Sequence, residues 1–440
     1  MAISEVFHSA LLENANIQKE YYLLEYEKRR RESQKYKNSK IFHYALTPYF
    51  YTENMYIEYQ KICSKILSIG RKVLFEYARN RNLRELYGYS EQVTQCILNE
   101  LKVSNEFPIA RIDVYFDKGQ LRIYEINSEG AAGMKKDIKI NSSLLASPVL
   151  KALGPGFRSN NIVEGVTEKL IEKFKQWSGN NVNEANNNIA ILFGNTNDYE
   201  DSCMFCDHLI NHGYNAFGIN YKDVVYYDKQ LYHNGINIHM VVNDFVHKQF
   251  FDEINLAQSY MYACQESCKC FNLGCFKGLI VNSNVFFSIL FNPDYQYLFD
   301  QDDIDFIQAH IPYTTYLSNE SAQLYELKRN KNQWVIKAND SYGGRGVYIG
   351  KLMHEHDWNL VVDQCSNGRY IAQHYIHSDT KRLFYLNDNL DLVSDDFIYT
   401  LGLFCCYESL CGIFSRASLD DIITGHGPRE INFGNILWEG

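Results

Sequence analysis

Arg111-Ile112-Asp113-Val114-Tyr115-Phe116, then Asp117-Lys118-Gly119, then Leu121-Arg122-Ile123-Tyr124-Glu125-Ile126-Asn127 is the stretch that decides how this chain folds. Alternation of apolar and polar residues on both sides of a short polar turn predicts a β-hairpin. With the hairpin centred on Gly119, Asp113 stands opposite Glu125 and Arg111 opposite Asn127. Residues two apart on a strand share a face, so all four side chains converge. Directly opposed side chains have Cβ atoms about 4.5–5.5 Å apart, and like charges there are destabilising. Two carboxylates so placed need neutralising. A hard divalent cation such as Mg²⁺ takes carboxylate, amide and phosphate oxygens together, and Arg111 offers a fork of donors to a phosphate. A solvated face carrying an Arg–Asp salt bridge explains the four residues equally well.

A second stretch lies far along the chain. Val335-Ile336-Lys337 and Val347-Tyr348-Ile349 read as strands around Ala338-Asn339-Asp340-Ser341-Tyr342-Gly343-Gly344-Arg345-Gly346. The glycines let backbone N–H groups approach an anion, and Lys337 and Arg345 supply charge. The loop is therefore a candidate phosphate cradle. It matches neither G-x-x-x-x-G-K-[ST] nor a dinucleotide G-x-G-x-x-G, because a strand follows it and not a helix. Taken alone, a Gly-rich hairpin turn explains it as readily.

Together the two stretches resemble the ATP-grasp family, whose lid carries a lysine strand and Gly-rich loop and whose other lobe carries R-x-D and E-x-N. Here R-x-D and E-x-N precede the lysine, so the chain looks like the circularly permuted ATP-grasp group, similar to glutathionylspermidine-synthase-like carboxylate–amine ligases. Ile311-Pro312-Tyr313-Thr314 and Gly412-Ile413-Phe414-Ser415-Arg416-Ala417-Ser418 add to the resemblance, which spans most of residues 45–436. It implies Asp113, Glu125 and Asn127 as ligands of Mg²⁺, with Mn²⁺ as a substitute, and Arg111 as a phosphate or acyl-phosphate contact. Lys337 would touch the α- and β-phosphates of ATP, and the loop Ser341, Tyr342, Gly343, Gly344, Arg345 and Gly346 would close over the β- and γ-phosphates. Gln373, His374, Tyr375 and Ile376 fall where the adenine hinge lies, with Gln373 as the polar contact, and Arg416 reaches the phosphates. Two departures stand out: Pro293 follows Asn292 where members often carry lysine, and Ser128-Glu129-Gly130-Ala131-Ala132-Gly133 replaces a Pro-containing turn.

The implied chemistry is amide or peptide bond formation. A carboxylate is a poor electrophile, and phosphoryl transfer from ATP turns its oxygen into a leaving group. An amine then displaces phosphate, and ADP is released. The substrates would be a small-molecule or peptide carboxylate and an amine. A catalytically inactive nucleotide-binding or interaction protein of the same fold is the alternative.

Length and composition agree with this reading. The 440 residues, at about 150 per domain, suggest about three units. The expected class is α+β with an α/β part: a helical region over 1–105, the metal-carboxylate part of the core over 106–186, a pre-ATP-grasp-like α/β domain over 187–300, and the lid with return strands over 301–440. The Asn-rich stretch GNNVNEANNN before Ile189 suggests a linker. With 43 Lys+Arg against 53 Asp+Glu, the net charge of −10 argues against a long nucleic-acid partner. The run Lys28-Arg29-Arg30-Arg31 among Glu25, Glu27 and Glu32 reads as a solvated helix face. No apolar run is long enough for a membrane helix, and no signal-peptide layout opens the chain, so a cytoplasmic protein is expected. The oligomeric state stays open, a homodimer included. Twelve cysteines at irregular spacing predict reduced thiols, among them the cluster Cys264, Cys268, Cys270 and Cys275 and the pair Cys203 and Cys206.

Overall fold

The computed structural model describes residues 3–33, 44–128, 130–179, 187–194, 199–245, 247–266, 268–272, 274–320, 323–341, 343–424 and 427–440. The hairpin forms, from Ile109–Asp117 and Gln120–Asn127. It is half of a larger antiparallel sheet. Leu392–Cys406 pairs with Ile109–Asp117 and is followed outward by Ser409–Ser418 and then Glu430–Phe433, while Thr380–Leu386 pairs with the other end of Leu392–Cys406. Two pieces far apart in sequence thus make one sheet.

Within the hairpin, Asp113 does face Glu125 and Arg111 does face Asn127, by a route the alternation pattern does not show. The turn is Lys118-Gly119, both with positive φ (51° and 76°), as a two-residue hairpin turn matched to strand twist requires. That turn pairs Asp117 with Gln120 and would misalign the acidic residues. A bulge at Tyr124 inserts one residue and restores the pairing beyond it. Bulges recur beside functional sites because they re-aim side chains.

Helix Glu53–Arg79 packs on this sheet. Thr52 caps its N-terminus by accepting from Met55 N–H at 3.3 Å, and Tyr59, Cys63, Ile66, Leu67, Val73 and Leu74 form its buried stripe. The spacing of three and four is that of one helical face. A second sheet carries Thr314–Leu317, Tyr370–His374, Trp334–Ala338 and Val347–Ile349, in that order and antiparallel. Trp334, Ile336, Trp358 and Val362 fill the space between it and helix Glu355–Cys365. A third unit has three parallel strands, Met240–Asn243, Asn188–Phe193 and Asn215–Asn220, with helix Tyr199–Asn211 crossing between the last two. The candidate linker lies mostly outside the described residues, at 180–186.

The basic run departs from expectation. Arg29 is not solvated: it is buried, with its guanidinium 4.7 Å from the centre of the Tyr44 ring and 5.9 Å from that of Tyr22. Such stacking suits the flat, weakly hydrated guanidinium. Lys28 remains exposed, and the side chains of Arg30 and Glu32 lie outside the described residues. Cys264 and Cys270 are buried and Cys268 and Cys275 half-buried, all as free thiols. Among the described residues no group of three or more His, Cys, Asp or Glu is arranged to hold a metal, and no helix is long and apolar enough to cross a membrane.

Candidate functional site

Arg111, Asp113, Glu125, Asn127, Lys337 and Arg416 meet where the core sheet faces the second sheet. Asp113 is fully buried. Its Oδ1 accepts from Arg111 Nε at 2.7 Å, and its Oδ2 accepts from Arg111 Nη2 at 2.9 Å, Arg416 Nη2 at 2.8 Å and Asn127 Nδ2 at 3.2 Å. Arg111 also donates through Nη1 to the Ala132 carbonyl at 2.6 Å. Gly402 stands opposite Asp113, and a Cβ there would lie 2.7 Å from Arg111 Cδ and 3.0 Å from Asp113 Oδ1. The bare strand position makes room for the ion pair.

This changes the reading of Asp113, expected as a metal ligand. Two guanidiniums and an amide engage its oxygens, and the guanidinium charges balance it without a metal ion. Glu125 has no such clamp among the described residues. Burial pushes its carboxyl up from the ordinary range and Asp113 adds to this, while Lys337, Arg111 and Arg416 act the other way. Asn127 turns its amide nitrogen to Asp113, which directs its oxygen away from that carboxylate. Hard cations take oxygen donors, so Glu125 and Asn127, both on a cavity wall, fit Mg²⁺, and Asp113 as held here does not.

Lys337 reaches across from the second sheet. Its Nζ donates to Gln373 Oε1 at 2.8 Å and to the carbonyl of Tyr124 at 3.0 Å. The latter belongs to the bulge residue, which is left outside the regular ladder. Burial pulls the ammonium down to about 8, against the opposing effect of Glu125 and Asp113. Gln373 is buried, and its Nε2 donates to Thr314 Oγ1 at 3.0 Å. Gln373, expected as the polar contact for a base, lines the cleft beside Lys337, and its amide engages both Lys337 and Thr314 and orients the lysine. His374 stacks edge-on to Trp334 with centroids 4.4 Å apart, and Tyr375 donates its backbone N–H to Gln333 at 2.7 Å. Arg416 keeps its ordinary charge: burial alone would lower its affinity for the proton, but Asp113, Tyr124 and Glu125 raise it. Its buried Nε has no hydrogen-bond partner.

The Gly-rich loop is a hairpin turn and a cavity wall at once. Gly343, Gly344 and Gly346 have φ of 63°, 73° and 68°, values glycine adopts without a Cβ penalty. Ser341 Oγ donates to the Arg345 carbonyl at 2.7 Å, and Tyr342 lies outside the described residues. A cleft beneath the loop is lined by Lys337, Arg345 and Gln373, by Tyr375 and Ile376 just beyond strand Tyr370–His374, and by aliphatic groups such as Val335, Ile349 and Ile398. A larger cavity adjoins it, and Glu125, Asn284, Ser341 and Gly343 belong to both walls.

Several residues that build the site carried no motif. Asn284 donates to the Ala338 carbonyl at 2.8 Å, and Asn282 accepts from Ser128 N–H at 3.0 Å, so one short segment ties the end of the hairpin to the start of the loop. The polar triplet Asn282-Ser283-Asn284 inside the apolar run from Leu279 to Phe291 is the signal that could have found them. Asn292, in contrast, caps the turn Pro293–Leu298 and lies on neither wall.

No family model and no curated protein matches the sequence. Among solved structures, a glutathione synthetase-like effector from Globodera pallida in its apo form aligns over 90% of this chain and 90% of its own, with a TM-score of 0.60 at 12% identity. A protein assigned as a γ-glutamylcysteine synthetase from Methylobacillus flagellatus aligns over 84% of this chain and 87% of its own, with a TM-score of 0.41 at 8% identity. D-alanyl-alanine synthetase A from Vibrio cholerae covers 49% of this chain and 68% of its own, with a TM-score of 0.29 at 14% identity. The first likeness is one of overall fold.

Proposed function

We propose that this chain is an ATP-dependent carboxylate–amine ligase of circularly permuted ATP-grasp type, divided as the four sequence regions suggest, that forms an amide through an acyl phosphate and releases ADP and phosphate. One observation carries the reading: a half-buried lysine, a Gly-rich loop, two arginines and an unclamped glutamate converge on two adjoining cavities that share Glu125. The shared fold with a glutathione synthetase-like protein supports it.

Phosphoryl transfer asks the protein mainly for positioning and charge neutralisation. The apolar walls of the smaller cleft suit a planar base. Lys337, oriented by Gln373 and Tyr124, meets the phosphates as a point charge. Mg²⁺ held by Glu125 and Asn127 would neutralise phosphate charge. Arg416, on the wall of the larger cavity, would meet the γ-phosphate and the substrate carboxylate, and Arg111 fixes Asp113 and thereby Arg416. The Gly343–Gly346 segment closes over the phosphates and keeps water from the acyl phosphate.

An ADP-release assay over paired acids and amines, with Mg²⁺ or Mn²⁺, tests the proposal. Release should require metal and rise when both substrates are present, and Glu125→Gln should abolish it with the fold intact by circular dichroism. Unchanged turnover in Glu125→Gln sinks the role given to that residue. A second reading, a nucleotide-binding protein without turnover, is favoured by the engagement of Asp113 by two arginines. It predicts nucleotide binding with no ADP release for any substrate pair.

A further inference from the structure

Lys337, Gln373 and Thr314 stand in a row across one face of the second sheet. Tyr370–His374 is an inner strand of that sheet, with Thr314 opposite Gln373 on one side and Val335 opposite it on the other. Lys337 lies two residues beyond Val335 and so shares its face. Thr314 and Gln373 are both buried, so neither can turn to bulk water for a partner.

The hydrogen-bond directions along this row are fixed at both ends. An ammonium has donors and no acceptor, so Lys337 Nζ requires the oxygen of the Gln373 amide, 2.8 Å away. That leaves the amide nitrogen facing Thr314 Oγ1 at 3.0 Å, where the hydroxyl must accept. It can do so because its own hydrogen goes to the carbonyl of Pro312 at 2.9 Å, a group that only accepts. Every donor in the chain points the same way, from the lysine to the main chain at Pro312, and bonds aligned like this polarise and strengthen one another.

Without the Thr314 hydroxyl the amide has two courses. It can stay in place and leave a buried N–H unpaired, which is costly, or it can swing to another partner and release Lys337. The lysine would then keep only the Tyr124 carbonyl at 3.0 Å. Thr314 and Pro312 line neither the cleft nor the larger cavity, so the hydroxyl acts through Gln373 and not by touching a ligand.

We propose that Thr314 is a positioning residue: its hydroxyl, anchored on the Pro312 carbonyl, holds the Gln373 amide with its oxygen toward Lys337 and so sets the lysine in place for an anionic group in the cleft. The proposal rests on the reading above in taking that group to be a nucleotide phosphate.

Two measurements on the full chain test it. One is competitive labelling of amines with trace acetic anhydride, read at Lys337 by mass spectrometry without nucleotide, and the other is calorimetric titration with Mg²⁺ and ADP. Thr314→Val should raise Lys337 labelling and weaken ADP binding, each by about two- to tenfold, as loss of one hydrogen bond implies. Thr314→Ser, which keeps the hydroxyl, should leave both near the wild-type values. Glutamate at 373 has an acceptor oxygen on either side of its head group, so in a Gln373→Glu background Thr314→Val should change Lys337 labelling less than in the wild type. Thr314→Ala takes the place of Thr314→Val if the latter does not fold. Unchanged labelling on loss of the hydroxyl, Thr314→Ser labelling as fast as Thr314→Val, or an equal effect in the Gln373→Glu background would each overturn the proposal, as would unchanged affinity in a protein that binds ADP. Labelling that follows the hydroxyl in a chain that binds neither ADP nor ATP would leave the positioning role standing and remove the nucleotide reading alone.

Discussion

Gly402→Ala probes the core of the site with one added methyl. Gly402 is absent from the positive-φ glycines, so alanine adds no left-handed strain, and any cost comes from contact. The new Cβ would sit 2.7 Å from Arg111 Cδ and 3.0 Å from Asp113 Oδ1, where carbon atoms pack at about 3.5–4.0 Å. Neither neighbour yields easily. Asp113 is fully buried and also held by Arg416 at 2.8 Å, and Arg111 is anchored to Ala132 at 2.6 Å. Overpacking of this kind costs about 1–3 kcal/mol, which urea denaturation would read as a lower midpoint with an unchanged slope. A shift of the guanidinium by about 1 Å would lower ADP release by about a hundredfold. Arg111→Ala removes the nearest clashing atom, so in that background Gly402→Ala should cost less, with a coupling of about 0.5–3 kcal/mol. A cost below about 0.5 kcal/mol in the wild type, where unstrained surface changes fall, or no coupling, would refute the claim that glycine makes room for the ion pair.

Two further outcomes follow from the same geometry. Gln373→Leu deprives Lys337 Nζ of its side-chain acceptor and leaves Thr314 Oγ1 without that donor, so it should cost about 1–3 kcal/mol in thermal or chemical denaturation, and nucleotide affinity should fall with it. Glu100 accepts from the backbone N–H groups of Phe276 and Lys277, both at 3.0 Å, and burial pushes its carboxyl up to about 7. The folded state therefore holds a proton that the unfolded chain releases near its ordinary value of 4.5. This contribution is full below 4.5 and is lost as pH rises to about 7, for about 3 kcal/mol at most. Glu100→Gln should flatten that part of the stability-versus-pH curve, and an unchanged slope would place the titrating group elsewhere.

The parts of the site legible in the sequence were those fixed by local period. Strand alternation sufficed to bring Arg111, Asp113, Glu125 and Asn127 to one face. The bulge at Tyr124 was not legible, because one inserted residue leaves composition and alternation almost unchanged, and the assumed centre at Gly119 reached the same pairing through an offsetting half-step. The clamp on Asp113 was hidden for a different reason. It depends on Arg416 and Gly402, which reach Asp113 only through strand pairing across most of the chain. Arg29 was misread because charge pattern alone does not show the Tyr44 ring, from beyond the end of its own helix, that covers its guanidinium.

The pairing of Asp113 with Gly402 spans about 290 residues of chain, and contacts of such separation form late and slowly. During synthesis, the strand Ile109–Asp117 leaves the ribosome well before Leu392–Cys406 exists, and until then it presents an unpaired edge. The centre is thus assembled only once Leu392–Cys406 has been made. A nascent or truncated chain would hold Arg111 and Asp113 on an open, aggregation-prone strand, and full-length yield should depend on chaperone supply more steeply than folded stability alone would suggest.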